Sequence, residues 1–217
     1  MNESEKSVLS GIRQTVLVSA VLMLLCGLMF PCLLTGLANL LFPHEANGSL
    51  ITVNGKTLGA EYVGQEFTKE CYMWSRPSAY HYNVYTEGAD GRQYYNDGTE
   101  FPSIGSGSNN YAATNPALTE RVKADIEVFL AKNPDIKRED IPADLMTASG
   151  SGLDPHISTA AAKVQTARIA KTSGLGEAAI NRIVEENTEG KVLGIFGEDR
   201  VNVIKVNIAI AERMGKL

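Results

Sequence analysis

From Gln14 to Pro43 the chain carries no charged side chain at all. In hydrocarbon each unpaired backbone polar group costs several kcal/mol, so an apolar run of roughly twenty residues or more spans most cheaply as a helix. No second run of this kind exists in the sequence, which excludes a many-pass protein. Cysteine is scarce as well: Cys26 and Cys32 fall inside the run, and Cys71 stands alone beyond it. A lone thiol cannot staple its own domain, so stability must come from burial, and no cysteine metal cluster is available there. The histidines His44, His81 and His156 show no second ligand at helical spacing, so no metal site is expected. A net charge of -5 offers no basic field of the kind that draws nucleic acid.

The run is read as an uncleaved anchor. A signal peptide has an apolar region of about 7 to 15 residues before a small-x-small site. This run is far longer, and Ala38 to Gly48 holds no convincing site. A lipoprotein signal needs small residues before its cysteine, but Leu24-Leu25 precede Cys26 and Phe30-Pro31 precede Cys32. Pro31, Thr35, Gly36 and Asn39 predict a span that kinks and emerges gradually. Lys6 and Arg13 lie before it, and no Lys or Arg follows until Lys56, so the positive-inside bias puts the N-terminus in the cytoplasm. The expected organisation is a cytoplasmic tail (1–13), a transmembrane helix (14–42) and one soluble extracytoplasmic domain (46–217). That domain has about 170 residues, enough for one core and too few for two.

Within the domain, Leu50 to Val53 and Lys56 to Leu58 flank Asn54-Gly55, a strong hairpin signal because both turn residues need positive φ. Glu61 to Phe67 and Tyr72 to Trp74 continue a β-leaning stretch. Residues 75–115 are rich in Ser, Gly, Asn, Tyr and Pro, with few aliphatics, and read as a long surface loop unable to build a core. Helical spacing of Leu118, Val122, Ile126 and Phe129 predicts a helix from Pro116 to Asn133. Further helices are expected over Thr159–Lys171, Glu177–Asn187 and Arg200–Met214, with Ser158 as an N-cap, Gly174 as a terminator and Val192–Phe196 as a short strand. Strands first and helices later predict an α+β domain.

The densest reactive cluster is Thr147 to Ser158, TASGSGLDPHIS. Its Gly150-Ser151-Gly152 lacks the spacing of a nucleophile elbow, and Asp154 and His156 stand too close in sequence to line up easily as a relay to Ser151. A membrane-anchored hydrolase using Ser151 is therefore a remote alternative. Glycines and serines before a helix can aim N–H groups at an anion, but no Walker ending is present. The plainer reading is a strand-to-helix turn capped by Asp154 or Ser158, with Pro155 fixing the approach. Arg76-Pro77-Ser78 and Thr114-Asn115-Pro116 read as structured turns.

One ordered set of motifs runs through the chain. It comprises Gly64-Gln65-x-Phe67, Arg76-Pro77-Ser78-Ala79, Tyr82-Asn83, Ser106-x-Ser108-Asn109 and Thr114-Asn115-Pro116-Ala117-Leu118. There follow TASGSGLDPHIS, Ala160 to Ala162 with Gln165 and Arg168, and Val201-Asn202-Val203 with Asn207. Behind a single N-terminal span, this set resembles the C subunit of the Kdp-type potassium-transporting ATPase of bacteria, over nearly the whole chain. The resemblance implies a non-catalytic subunit of an ATP-driven potassium uptake complex in the bacterial inner membrane. Implied partners are a potassium-selective channel-like subunit and a P-type ATPase subunit, with a further small membrane subunit as a third candidate. It also implies a catalytic chaperone that raises the ATP affinity of the hydrolysing subunit through a transient ternary complex. ATP is then a shared, transient ligand and no cofactor is tightly bound.

On that resemblance, Ser149, Gly150, Ser151 and Gly152 are candidate nucleotide contacts. Arg76, Ser78, Asn109, Asn115, Asp154, His156, Gln165, Arg168 and Asn202 are candidate interface or scaffold residues. Ser19, Ala20, Gly27 and Gly36 offer small surfaces for helix packing in the membrane. An outward domain and cytoplasmic ATP lie on opposite sides of the membrane, which leaves a second reading: an external regulator or stabiliser at the mouth of the potassium-selective subunit. The chain departs from the family pattern at Val84 to Gly105, which looks like an insertion carrying Tyr85, Tyr94, Tyr95 and Phe101, and at Ala60, where serine is more usual.

Overall fold

The computed structural model describes residues 3–217, with side chains from Ser10 onward; Met1 and Asn2 of the expected tail and the Lys6 side chain lie outside the described residues. The chain divides between Leu50 and Ile51 into two compact units. The first is helical: α1 (Glu3–Leu24), a π-helical segment (Leu25–Met29), α2 (Phe30–Leu41) and a short α3 (Pro43–Ala46). Ser10–Leu41 is long and apolar enough to cross a membrane, and none of it is buried within the protein. The π segment sits where Pro31 predicts a disturbance. Proline has no N–H to offer the preceding turn, and the helix widens so that Phe30 N–H reaches Leu25 O.

The second unit mixes helix and strand. Strands β1 (Leu50–Val53) and β2 (Lys56–Ala60) form the expected hairpin, with Asn54 at φ 51° and Gly55 at φ 76°. A second hairpin, β3 (Thr86–Glu87) with β4 (Gln93–Tyr94), lies inside the long loop. Helix α4 (Pro116–Lys132) begins as expected, with the Asn115 side chain accepting from Ala117 N–H. Then come β5 (His156–Ser158), α5 (Thr159–Lys163), α6 (Thr166–Ser173), α7 (Glu177–Glu186), β6 (Thr188–Glu189), β7 (Arg200–Asn202) and α8 (Val203–Arg213). The antiparallel order is β5-β7-β6, pairing Ile157 with Val201 and Thr188 with Val201. Met73, Phe129, Ile157, Ile169, Ile180, Ile183, Val206 and Ile210 anchor one hydrophobic core.

Several expectations are corrected. The three-stranded sheet is built from late strands interleaved with helices rather than from the early β-leaning stretch. The turn after Thr147 leads into β5, not directly into a helix, and Ser158 then caps α5 by accepting from Ala161 N–H. The helix expected over 159–171 is broken. Gln165 N–H bonds Ala162 O while the Gln165 side-chain amide takes Ala161 O, the carbonyl its own backbone would have used. Arg200–Asn202 is the central strand and not the start of the last helix; Asn202 caps α8 by accepting from Lys205 N–H. Val192–Phe196 closes on itself as a small exposed hairpin outside the sheet.

The loop over 75–115 does build a small core. Tyr95 and Phe101 are buried and meet edge-on with centroids 5.2 Å apart, Tyr85 stacks on Phe101 at 4.6 Å, and His81 lies against Tyr95 at 4.7 Å. Aromatics here do the packing that the few aliphatics could not, so these residues pack the loop itself.

Candidate functional site

Segment 61–76 is where the β-leaning sequence fails to become a named strand, and the polar residues picked out above explain how it is held. Met73 is fully buried, and its N–H and C=O both meet the Asn207 side chain, at 2.7 and 2.9 Å. At Trp74 the same two groups meet Gln165, at 2.8 and 3.2 Å. A primary amide offers a donor and an acceptor side by side, as a neighbouring strand does, so two side-chain amides, Asn207 on α8 and Gln165 at the break between α5 and α6, replace a sheet ladder. Upstream, Asn202 Nδ2 donates to Glu61 O at 2.8 Å.

Arg168 completes the clasp. Its guanidinium donates to Glu70 O, to Tyr72 O at 3.0 Å, to Asn133 Oδ1 at 3.1 Å and to Gln165 Oε1 at 2.7 Å, and it lies 4.2 Å from the Trp74 ring centroid. Burial pushes its pKa down to about 10, still far enough above neutrality to keep it charged. Gln165, Arg168 and Asn202 thus each bond backbone groups of segment 61–76, and Arg168 also bonds the side chains of Asn133 and Gln165.

The signature turn is tied down in the same manner. Ser149 Oγ accepts from Gly152 N–H at 2.9 Å, and Ser151 Oγ accepts from Leu153 N–H at 3.1 Å. Ser151 O receives Gly107 N–H at 2.7 Å and Ser106 Oγ at 3.0 Å. Gly152 takes a positive φ of 67°, and a Cβ there would stand 2.5 Å from Gly107 O; Gly150 has open space around it. Ser78 Oγ donates to Gly152 O at 2.6 Å and accepts from the N–H groups of Tyr80 and Tyr82. That supports His81, Tyr82 and Asn83 in three consecutive left-handed conformations. Tyr82, buried, reaches Arg76 O at 2.9 Å. Burial, with the Asp154 charge, raises its hydroxyl pKa.

Asp154 and His156 belong to a row of polar side chains running from Arg76 to Arg200 rather than to a relay ending on Ser151. Arg76 Nη1 lies 3.2 Å from Asp154 Oδ2, and His156 Nδ1 lies 3.4 Å from Asp154 Oδ1. On the other side His156 Nε2, buried and without a hydrogen-bond partner among the described residues, stands 3.7 Å from Glu189 Oε2. Glu189 in turn pairs with Arg200 at 2.8 Å. Residues 189 and 200 were missed by sequence reasoning, since single charges at the ends of two-residue and three-residue strands carry no pattern.

Desolvation pushes the Asp154 carboxyl up, but the His156 side-chain and backbone donors and Arg76 outweigh it and leave its pKa lowered. A lowered carboxylate pKa contributes stability above the unfolded value, about 3.9, and loses it as pH falls through the folded value. Asp154→Asn is therefore expected to lower the thermal midpoint at neutral pH, with the gap from the parent closing at strongly acid pH. A gap that stays constant across a pH series of melting curves would remove the charge argument.

A groove of about 610 Å³ lies between segment 66–82 and α4, with Trp74, Phe129, Leu145 and Met146 on its apolar side. Its rim cations already face carboxylates: Arg76 faces Asp154, Arg121 faces Asp125, and Lys132 faces Glu70. Burial raises the Asp125 pKa, against the pull of Arg121. Asn109 is exposed on this rim. Among the described residues no group of three or more His, Cys, Asp or Glu is placed to hold a metal ion. In the helical unit Ser19, Ala20, Gly27 and Gly36 are all exposed, and a Cβ at Gly27 or Gly36 would meet nothing within 4 Å.

Comparison with known proteins is consistent across the length of the chain. The family model described as "KdpC: K+-transporting ATPase, c chain" matches residues 12–212. A potassium-transporting ATPase KdpC subunit of Clostridium kluyveri is 50% identical over 205 residues, covering 94% of this chain and 95% of the relative. That of Clostridioides difficile is 50% identical over 204 residues, covering 94% and 98%. That of Bacillus cereus is 38% identical over 213 residues, covering 98% and 99%.

Proposed function

The chain belongs to the KdpC family of potassium-transporting ATPase subunits, and from that premise we propose that it serves a potassium transport complex as a non-catalytic accessory subunit. Its span crosses the bacterial inner membrane once, and domain 46–217 stands outside, over the mouth of the potassium-selective subunit, where it stabilises that subunit or controls ion access. The P-type ATPase subunit is the second partner. Ser19, Ala20, Gly27 and Gly36 form the face on which the span packs against these larger subunits.

The observation that carries the outward placement is the asymmetry of charge: Arg13 lies near the N-terminal end of the apolar helix, just before its uncharged run, and no Lys or Arg follows before Lys56. A scaffold role is supported by the side chains themselves. Gln165, Arg168, Asn202 and Ser78 all bond backbone groups of their own domain, and the hydroxyl of Ser151 accepts from Leu153 N–H. The ATP-affinity role stands second, because it requires the domain and ATP to share one side of the membrane.

Topology decides between the two. Ile104 is 81% exposed and makes a better reporter than the partly covered Cys71. With Cys26, Cys32 and Cys71 replaced, Ile104→Cys is expected to react with a membrane-impermeant maleimide in intact spheroplasts. Reaction only after lysis would place the domain with ATP and make the turn at Ser149 to Gly152 the first region to probe for nucleotide.

A further inference from the structure

Between β6 and β7 the chain projects a hairpin with an apolar tip, Val192-Leu193-Gly194-Ile195-Phe196. Leu193 is 84% exposed and Ile195 is 75% exposed, with Val192 and Phe196 also exposed. The tip has a fixed shape, because Val192 and Phe196 exchange both backbone hydrogen bonds, at 2.8 and 3.0 Å. Leu193 holds a φ of 54°, a left-handed conformation that is strained for a non-glycine residue, and its exposed side chain returns little packing within this chain. Four large apolar side chains on five residues are unlike the scattered exposed apolar groups of an ordinary surface.

The residues around the tip say what fits it. Glu198 and Asp199 follow after Gly197, and among the described residues neither has an ion-pair partner; Lys191 immediately precedes the tip. Such a base is repelled by anionic lipid head groups, and the tip lacks the Trp and Tyr that favour a bilayer interface. A protein cleft with an apolar floor and Lys or Arg at its rim meets both features, since apolar anchors carry binding energy and rim charges set orientation.

We infer that the tip at 192–196 is a docking anchor that inserts into an apolar cleft, rimmed by basic side chains, on another subunit of the potassium transporter. This rests on the reading of the chain as a subunit of that complex. The strained backbone at Leu193 then presents a preformed knob, and Glu198 and Asp199 steer it.

The test uses the full-length chain co-expressed with the tagged larger subunits. Ile195→Ser with Phe196→Ser is expected to leave the thermal midpoint of the free chain in detergent unchanged, since both side chains are already exposed, and to reduce its retention on the tagged complex about tenfold or more. Asp199→Lys is expected to weaken retention as well. A photo-reactive benzoylphenylalanine at position 196 is expected to give an adduct of this chain with a larger transporter subunit, identified by peptide mass. Full retention of the double variant overturns the inference, as does an adduct formed only with lipid or only with a second copy of this chain. If the parent chain itself fails to co-purify, the subunit reading fails rather than the anchor.

Discussion

Replacement of Arg168 by methionine is expected to destabilise the domain by about 3–5 kcal/mol, a large share of the total for a chain of this size. The methionine would fill much of the space under Trp74, so little of the loss comes from packing. The cost lies in the acceptors left behind: Glu70 O, Tyr72 O, Asn133 Oδ1 and Gln165 Oε1 all take N–H groups from one guanidinium, and although Thr172 Oγ1 still serves Glu70 O and Trp74 N–H still serves Gln165 Oε1, Tyr72 O and Asn133 Oδ1 lose the donor described for them. Buried acceptors without donors cost about 1–3 kcal/mol each before relaxation. Arg168→Lys should recover only a minor part, because one ammonium cannot span four acceptors in different directions or stack flat on an indole. Denaturant titration of the full-length chain in detergent reads the effect. A loss below about 1 kcal/mol would show that the clasp on segment 61–76 is dispensable.

The second large effect is expected at Gly64. A Cβ there would stand 2.3 Å from Cε1 and 2.7 Å from Cδ1 of Tyr82, and 3.0 Å from Asp154 O. The ring cannot swing aside cheaply. It is buried, its hydroxyl is bonded to Arg76 O, and its N–H is bonded to Ser78 Oγ in a left-handed turn. Gly64→Ala is therefore expected to cost about 3 kcal/mol, as overpacking plus a lost or bent hydrogen bond. At Gly59, by contrast, the nearest atom is the amide end of Gln65, a flexible side chain, and alanine should be far better tolerated. Combining Gly64→Ala with Tyr82→Leu should cost less than the sum of the two single changes, with a coupling of about 1 kcal/mol or more. Strict additivity would refute the assigned contact.

Much of the local structure was legible before folding. Asn54-Gly55, the Asn115-Pro116 helix start and Gly174, which ends α6 at φ 76°, each set their own conformation through backbone chemistry that neighbours do not alter. Short strands were not legible in this way. Residues 156–158, 188–189 and 200–202 have too few positions to show alternation, and their pairing depends on partners over 40 residues apart for β5 and β7. The β-leaning stretch at 61–74 misled for the converse reason: turns at 61–62 and 69–72 interrupt it, and past the single bridge of Val63 to Ala60 no strand lies beside it.

The candidate residues divide along the same line. Gln165, Arg168 and Asn202 were reached through resemblance, and nothing in their own surroundings announces that they hold Trp74, Tyr72 and Glu61. Their partners are backbone atoms, which every residue carries alike. Glu189 and Arg200 went unnoticed because the pairing across β6 and β7 creates their meeting with His156.

What the sequence determined by itself was the apolar span, the size of the domain behind it, the turn and cap chemistry, and, through the ordered motifs, the family. Each of these depends on composition or on neighbours a few residues apart. Only the tertiary structure decided that two side-chain amides replace a missing strand, that Gly64 lies under the Tyr82 ring, and that an apolar tip at 192–196 is left outside the core. Such facts depend on which distant segments come into contact, and burial of a whole domain settles that collectively.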